Sequence, residues 1–249
     1  MTQSFAVPTF SLSCIETRSH DKAGLAVLRT LKTLSACHGF DVKRVFWFSN
    51  AACPIEAELV ARWGAAFVVW VRIEPFELNR SFNDQLNELT LDLLPKTVDT
   101  DFNLVVQADG YAVNYQAWTD QFLQYDYIGA SWPHESTGRD VGNGGFSLRS
   151  KKLYRAMLDL RRRYTLERLI QGLQTIDICA DKFLGYSIPE DNLICKIYRP
   201  ILEQQYGIRF APAELADRFS IETNAGSPWF GSSFGFHGHF AGSFYIKAD

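Results

Sequence analysis

Asp109 closes the run Phe102-Asn-Leu-Val-Val-Gln-Ala-Asp-Gly-Tyr111, in which apolar residues follow one another almost without a break. Such a run predicts a strand, Phe102 to Val106, buried on both faces. A buried strand of an α/β sheet delivers its last residues to the crevice at its carboxyl end, where ligands of these sheets bind. A carboxylate in that place can hold a divalent cation beside a phosphate. Gly110 lets the backbone turn and lets a ligand come close. The same Asp-Gly pair is also an ordinary turn.

Three further segments carry chemically useful groups. Val141-Gly-Asn-Gly-Gly-Phe-Ser-Leu-Arg149 sets Gly144 and Gly145 where backbone N–H groups can meet a ligand, with the Asn143 amide beside them. An Asn-Gly pair is equally the two-residue turn of a hairpin. Ile188-Pro-Glu-Asp-Asn192 places adjacent carboxylates after a proline. That suits a helix N-terminus, where negative charge is stabilised. It also suits a general base that takes a proton from a hydroxyl. Glu190 and Asp191 point differently on a helix, so only one can face a given site. Phe234-Gly-Phe-His-Gly-His239 holds His237 among small and apolar neighbours that let it reach inward to a metal, a better candidate than His239. Loose histidines of a tail are the plainer reading. Arg161-Arg-Arg163 reads as a solvated helix end.

The elements that must position these groups alternate in the first half. Thr9 to Ile15 predicts a strand, and Asp21 is a cap for a helix carrying Leu25, Leu28, Leu31 and Leu34, with Gly39 as terminator. Val45 to Phe48 predicts a second strand and Pro54 to Trp63 a helix opened by proline. Ala65 to Val71 predicts a third strand, and Phe82 to Leu94 a helix stopped by Pro95. This β-α-β-α-β-α-β order implies a mostly parallel sheet with helices on both faces. Beyond Asp109 the rhythm changes. Tyr127-Ile-Gly-Ala130 and Gly145-Phe-Ser-Leu-Arg149 predict short strands, and Ser150 opens a helix through Leu160. A helix from Glu190 to Tyr206 carries Pro200 as a kink, and Gly226 to Gly242 shows no period. No repeat or Pro/Ser-rich linker divides the chain, so one α/β domain over 1–249 is expected.

At 249 residues the chain can bury a sizeable core. A net charge of −3 argues against general nucleic-acid binding, which shows as a basic surplus. Cys14, Cys37, Cys53, Cys179 and Cys195 are odd in number and lack CxxC spacing, which fits reduced thiols rather than a zinc site or disulfide framework. The N-terminus has no basic segment followed by an apolar core, so no signal peptide is expected. No run approaches the ~20 apolar residues of a membrane span. A cytoplasmic location is expected, with room for a peripheral place at the inner membrane face.

The order of the segments is informative: a sheet-edge acid, a Gly-Gly segment, an acidic pair opening a helix, then a late histidine. The chain resembles GT-A glycosyltransferases, and in particular the bacterial DUF5672 group. The resemblance rests on Gln107-Ala-Asp-Gly, Tyr125-Asp-Tyr-Ile-Gly-Ala130, Gly142-Asn-Gly-Gly-Phe-Ser-Leu-Arg149, Pro189-Glu-Asp191 and Phe210-Ala-Pro-Ala-Glu-Leu-Ala216. It implies a GT-A-like single domain, with a nucleotide-sugar-binding half at 1–110 and an acceptor and catalytic half at 111–249. The activity implied is transfer of a hexose from a nucleoside diphosphate sugar, UDP being the common donor, to a hydroxyl of a glycan or lipid-linked glycan in surface polysaccharide synthesis. Donor contacts are expected at Glu16, Thr17, Arg18, Gln107, Asp109 and Gly110. Acceptor contacts are expected at Trp132, Asn143, Gly144 and Gly145. Trp132 offers a face to a sugar ring or an anchor for its loop. Asp191 or Glu190 matches the base of inverting members, and Asp109 with His237 matches their ligands for Mn²⁺ or Mg²⁺. Gln107 stands where the family's metal motif has its first acid, and an amide holds a hard cation less strongly. The alternative is a non-catalytic sugar- or nucleotide-binding protein on the same fold. A nucleotidyltransferase is disfavoured because Cys14-Ile-Glu-Thr-Arg-Ser lacks a Gly-rich phosphate loop, and a Rossmann dehydrogenase because no GxGxxG follows a predicted strand.

Overall fold

The computed structural model describes residues 7–37, 40–135, 138–164 and 188–245. Its strands are β1 (Thr9–Ile15), β2 (Asp41–Ser49), β3 (Val68–Arg72), β4 (Phe102–Val106), β5 (Gly110–Ala112), β6 (Tyr127–Ile128), β7 (Ser147–Ser150), β8 (Ser220–Ile221) and β9 (Gly235–His237). The main sheet runs β3-β2-β1-β4-β7-β6 and a small second sheet runs β5-β9-β8. Strands β1 to β4 pair in parallel. Strand β7 is added antiparallel to β4, and β6 antiparallel to β7 at the edge. The expected mostly parallel α/β sheet is therefore present, with β1 and β4 running as read.

Period-2 alternation explains the two faces of the sheet. Phe10, Leu12, Cys14, Val45, Trp47, Leu104 and Val106 share one apolar core with the inner side of α1 (His20–Ser35). Ile15, Phe46, Phe48 and Val105 pack on the other face with Leu94, Val98 and Tyr154. The centre of that second face is polar but satisfied. Asn103 donates to Ser11 Oγ at 2.9 Å and Ser13 Oγ at 2.8 Å, and accepts from Tyr154 at 2.8 Å. A third core lies between α5 (Lys151–Arg163) and the segment Leu193–Tyr206.

Several local expectations are corrected. Asp21 lies in the first turn of α1, and the cap position is Ser19, with no side-chain cap bond. Leu25 is 44% exposed rather than on the buried stripe. Gly39 lies outside the described residues, as does Cys179, while the other four cysteines are free. Helix α2 (Glu56–Trp63) begins two residues after Pro54. Pro95 does not stop its helix. The chain runs α3 (Phe82–Glu88), a π-helical turn at Leu89–Leu93, and α4 (Leu94–Thr97), which contains Pro95. The same device recurs in the second half: α6 (Glu190–Asn192), a π-helical segment Leu193–Tyr198, and α7 (Arg199–Tyr206) with Pro200. Proline lacks an N–H and crowds the carbonyl four residues back. In both places that carbonyl, of Leu91 or Lys196, lies inside the π-wound stretch, which opens the ladder for the ring. Gly226 to Gly242, without a period in the sequence, holds β9 and the start of α9 (Gly238–Tyr245). Helix α8 spans Ala213–Phe219. No helix of the described residues is long and apolar enough to cross a membrane.

Candidate functional site

The segment Gln107-Ala-Asp-Gly110 is both a turn and a sheet edge. Gln107 N–H donates to Gly110 O at 2.9 Å, and Gly110 N–H returns to Gln107 O at 3.1 Å. This tight turn carries the chain from β4 in the main sheet to β5 in the small one. Strand β5 pairs with β9 so that Gly110 lies opposite His237. That register brings His237 Nε2 to 3.2 Å from Gln107 Oε1 and 3.7 Å from Asp109 Oδ1. The pairing of β8 with β9 sets Ile221 opposite Phe236 and leaves Glu222 next in line. Its carboxylate lies 3.1 Å from His237 Nδ1. The parallel register Cys14↔Val106 brings the end of β1 to the same edge. There Glu16 accepts the N–H groups of Arg18 at 2.6 Å and Ser19 at 2.9 Å, so its carboxylate fixes the start of α1. Thr17 is half-buried and Arg18 exposed.

The Asn143–Gly145 segment lies against His237. Asn143 is in the left-handed region (φ 64°), a conformation Asn tolerates better than most residues. It is no two-residue hairpin, because β6 and β7 are joined by the whole stretch 129–146. Its Oδ1 accepts Gly145 N–H at 3.1 Å, which turns Nδ2 toward His237 Nδ1 at 3.0 Å. A Cβ on Gly145 would collide with His237 Nε2, and one on Gly144 with Glu190 Oε1. Both glycines are there for close approach.

Glu190 and Asp191 diverge as a helix start requires. Glu190 is buried and accepts Arg149 Nη2 at 2.6 Å. Burial pushes its carboxyl above the usual range, against the pull of Arg149. Asp191 is half-buried and accepts its neighbour Asn192 N–H at 2.8 Å. Burial raises its carboxyl, and the nearby Glu222 raises it further. A carboxyl so shifted is a better proton acceptor near neutral pH than an ordinary one. His237 is pulled down by burial, but the Glu222 bond and the charges of Asp109, Glu222 and Asp191 outweigh this and raise it.

Trp132 is partly buried, with Lys196 Nζ 4.6 Å from the ring centroid and Gly142 directly against the ring. His239 is exposed. A cavity of about 350 Å³ adjoins Asp109 and is lined also by Lys22, Arg29, Tyr111 and His239. Arg29 donates to Tyr111 Oη at 2.6 Å. Lys22, Arg29, Arg149 and Glu222 carry no role in the sequence reading. Glu222, like Asp109, is an acid shortly beyond the end of a buried strand, but that strand is only Ser220–Ile221.

Among the described residues no three His, Cys, Asp or Glu side chains stand together as a metal site. A donor set does converge, however: the Asp109 carboxylate, the Gln107 amide oxygen and His237 Nε2. Nδ1 faces both the Glu222 carboxylate and the Asn143 amide nitrogen; with its proton on Nδ1, given to Glu222, the ring leaves Nε2 to ligate, the arrangement found behind metal-bound histidines. One carboxylate, one amide oxygen and one imidazole suit a borderline divalent cation, with other positions open to phosphate oxygens and water.

A mostly parallel central sheet flanked by helices, with an antiparallel addition, is a glycosyltransferase fold of the GT-A type. A solved glycosyltransferase involved in glycosylation of the major capsid of PBCV-1 is similar, with a TM-score of 0.50, 11% identity, and 92% of each chain covered. An active-site mutant of LgtC is similar at a TM-score of 0.48 and 12% identity, over 91% of this chain and 86% of that one. The apo glycosyltransferase GlyE of Streptococcus pneumoniae TIGR4 is similar at 0.47 and 11% identity, over 97% of this chain and 55% of that one. The profile of the family described as protein of unknown function (DUF5672) matches residues 74–237, more than half of the chain, and the chain belongs to that family. No curated protein matches it.

Proposed function

We propose that this chain transfers a hexose from a nucleoside diphosphate sugar, a UDP-sugar by preference, to a hydroxyl of a glycan or lipid-linked glycan, with inversion, in the synthesis of a surface polysaccharide. The observation that carries the reading is the meeting of Asp109, Gln107 and His237 at the sheet edge, beside the half-buried carboxylate of Asp191. In this reading residues 1–110 hold the donor and 111–249 the acceptor. Glu16, Thr17 and Arg18 face the nucleoside, and the Lys22 and Arg29 cations in the cavity beside Asp109 attract its diphosphate. Asp109, Gln107 and His237 would hold Mn²⁺ or Mg²⁺, which when bound supplies positive charge to the leaving diphosphate. Asp191 takes the proton of the acceptor hydroxyl while that oxygen bonds to the anomeric carbon. The bond from that carbon to the diphosphate breaks, and its electron pair leaves with the diphosphate. Gly144 and Gly145 give the sugars close access, with Asn143 and Trp132 at the acceptor side.

The test is turnover of a panel of nucleotide sugars by wild type and by Asp191→Asn. The variant is expected to lose transfer by at least ~10²-fold, the low end of general-base contributions, with nucleotide affinity kept. Loss of both, with the fold intact, would give Asp191 another role. A neutral amide at Gln107 favours one rival, a binding protein without turnover. Measurable donor affinity with donor left unchanged by the wild type would establish that rival.

A further inference from the structure

Arg149 is fully buried, and so is its partner Glu190, and among the described residues Arg149 Nη1 and Glu190 Oε2 meet no hydrogen-bond partner. A buried ion pair is rarely the most stable filling for its space, since well-packed apolar side chains of similar volume often do as well or better. The position of this pair suggests what it does. Arg149 Nη2 donates to Gly144 O at 3.2 Å as well as to Glu190, and Nε donates to Ser147 Oγ at 3.0 Å. Ser147 Oγ in turn donates to Gly144 O at 3.2 Å. The guanidinium lies 5.5 Å from the Tyr127 ring centroid, and Tyr127 Oη donates to Asn143 O at 3.1 Å. The carbonyl of Asn143, the left-handed residue whose amide lies against His237, and that of Gly144 are thus both anchored to one buried group of side chains. On the other side, Glu190 is the residue before Asp191.

We infer that Arg149 and Glu190 form a positioning pair that fixes the spacing between the Asp191 carboxylate and the His237 imidazole through the Asn143–Gly145 backbone. This rests on the transferase reading for its catalytic consequence, but not for its geometry. Arg149 touches neither substrate nor cation in this account. It acts through Gly144 on one side and through Glu190 on the other. A planar fork suits this place because three acceptors, Glu190 Oε1, Gly144 O and Ser147 Oγ, are met by Nε and Nη2 of one rigid group, which a lysine ammonium does not reproduce. A displacement of about 1 Å at a reacting group is enough to cost ~10²-fold in rate.

The test compares wild type, Arg149→Lys, and the double variant Arg149→Met with Glu190→Leu, which removes both charges and leaves neither buried alone. Three readouts are taken: the thermal midpoint, the ¹⁵N shifts of the His237 ring, and kcat and KM for the donor that wild type turns over. The expected result is a folded double variant with displaced His237 shifts and kcat lower by ~10²-fold, with KM for the donor changed less than threefold. Arg149→Lys should fold and show the same direction with a smaller fall. Folded variants with wild-type His237 shifts and wild-type kcat would overturn the inference. So would variants whose only change is a lower thermal midpoint. If wild type turns over no donor, the transferase reading fails, and displaced His237 shifts in the folded variants still establish the positioning of the loop.

Discussion

Gly145 owes its identity to His237. Its missing side chain leaves the space that Nε2 of the imidazole and Oε1 of Gln107 occupy. Gly145→Ala should therefore push His237 away from Asp109 and weaken Mn²⁺ binding at least ~10-fold, with a modest loss of stability, as read by calorimetric titration. An unchanged affinity would mean that the cation sits elsewhere. At this scale the sequence was informative about residue types and weak about pairing. Asp109, Asn143, Gly144, Gly145, Asp191 and His237 were all singled out from their neighbours, and the structure gathers them on one edge. Glu222 and Arg149 were not, for physical reasons. A strand of two residues leaves no periodic trace, and an arginine in a sequence reads as a surface cation until its carboxylate, 41 residues away, is placed beside it.

Short polar contacts at element ends hold the positions of β4, β7 and α5. Ser150 caps α5 by accepting Leu153 N–H at 3.0 Å and donates to the buried Asp126 at 2.6 Å. Ser150→Ala should lower stability by about 1–2 kcal/mol, a fall in midpoint of roughly 2–8 °C, read in a thermal melt. A shift within error would show that water replaces both bonds. Asp101, just before β4, accepts both the N–H and the hydroxyl of Thr9 at 2.8 Å, which ties the start of β1 to the start of β4. The Thr9 N–H bond, then its hydroxyl, hold the Asp101 carboxyl below its usual range. A carboxyl lowered by folding adds stability above its unfolded pKa of ~3.9, and that stability is lost as pH falls through the folded value. Wild type should exceed Asp101→Asn in urea midpoint at pH 7, and the gap should shrink progressively as pH falls below the unfolded value of ~3.9. A gap that does not change with pH would assign the effect to shape rather than charge. At this scale strand β4 and helix α5 were legible because burial and a serine cap leave clear patterns. The fates of Pro95 and Pro200 were not, since a π-wound turn is set by the packing of the helix and has no residue signature of its own.

The molecule as a whole brings together segments from five places in the chain: 107–110, 143–149, 190–191, 222 and 237. The parallel half of the sheet was readable because its strands are long and buried and alternate with helices. The small sheet was not, because β5, β8 and β9 have two or three residues each and take their register from one another. Yet this small sheet does most to make the site, since it returns His237 to Asp109 across 128 residues of chain. A site assembled across that span should be sensitive to its ligand as a unit, which sets the most direct measurement. Thermal midpoints of wild type and Asp109→Ala are taken with UDP, GDP, CDP and dTDP, each with and without Mn²⁺. A nucleotide at ~100 times its dissociation constant should add ~2.7 kcal/mol, several degrees for a chain of this size. One nucleotide is expected to stabilise wild type, with Mn²⁺ enlarging the shift and Asp109→Ala abolishing the enlargement. No shift with any nucleotide, or an equal shift in Asp109→Ala, would contradict this.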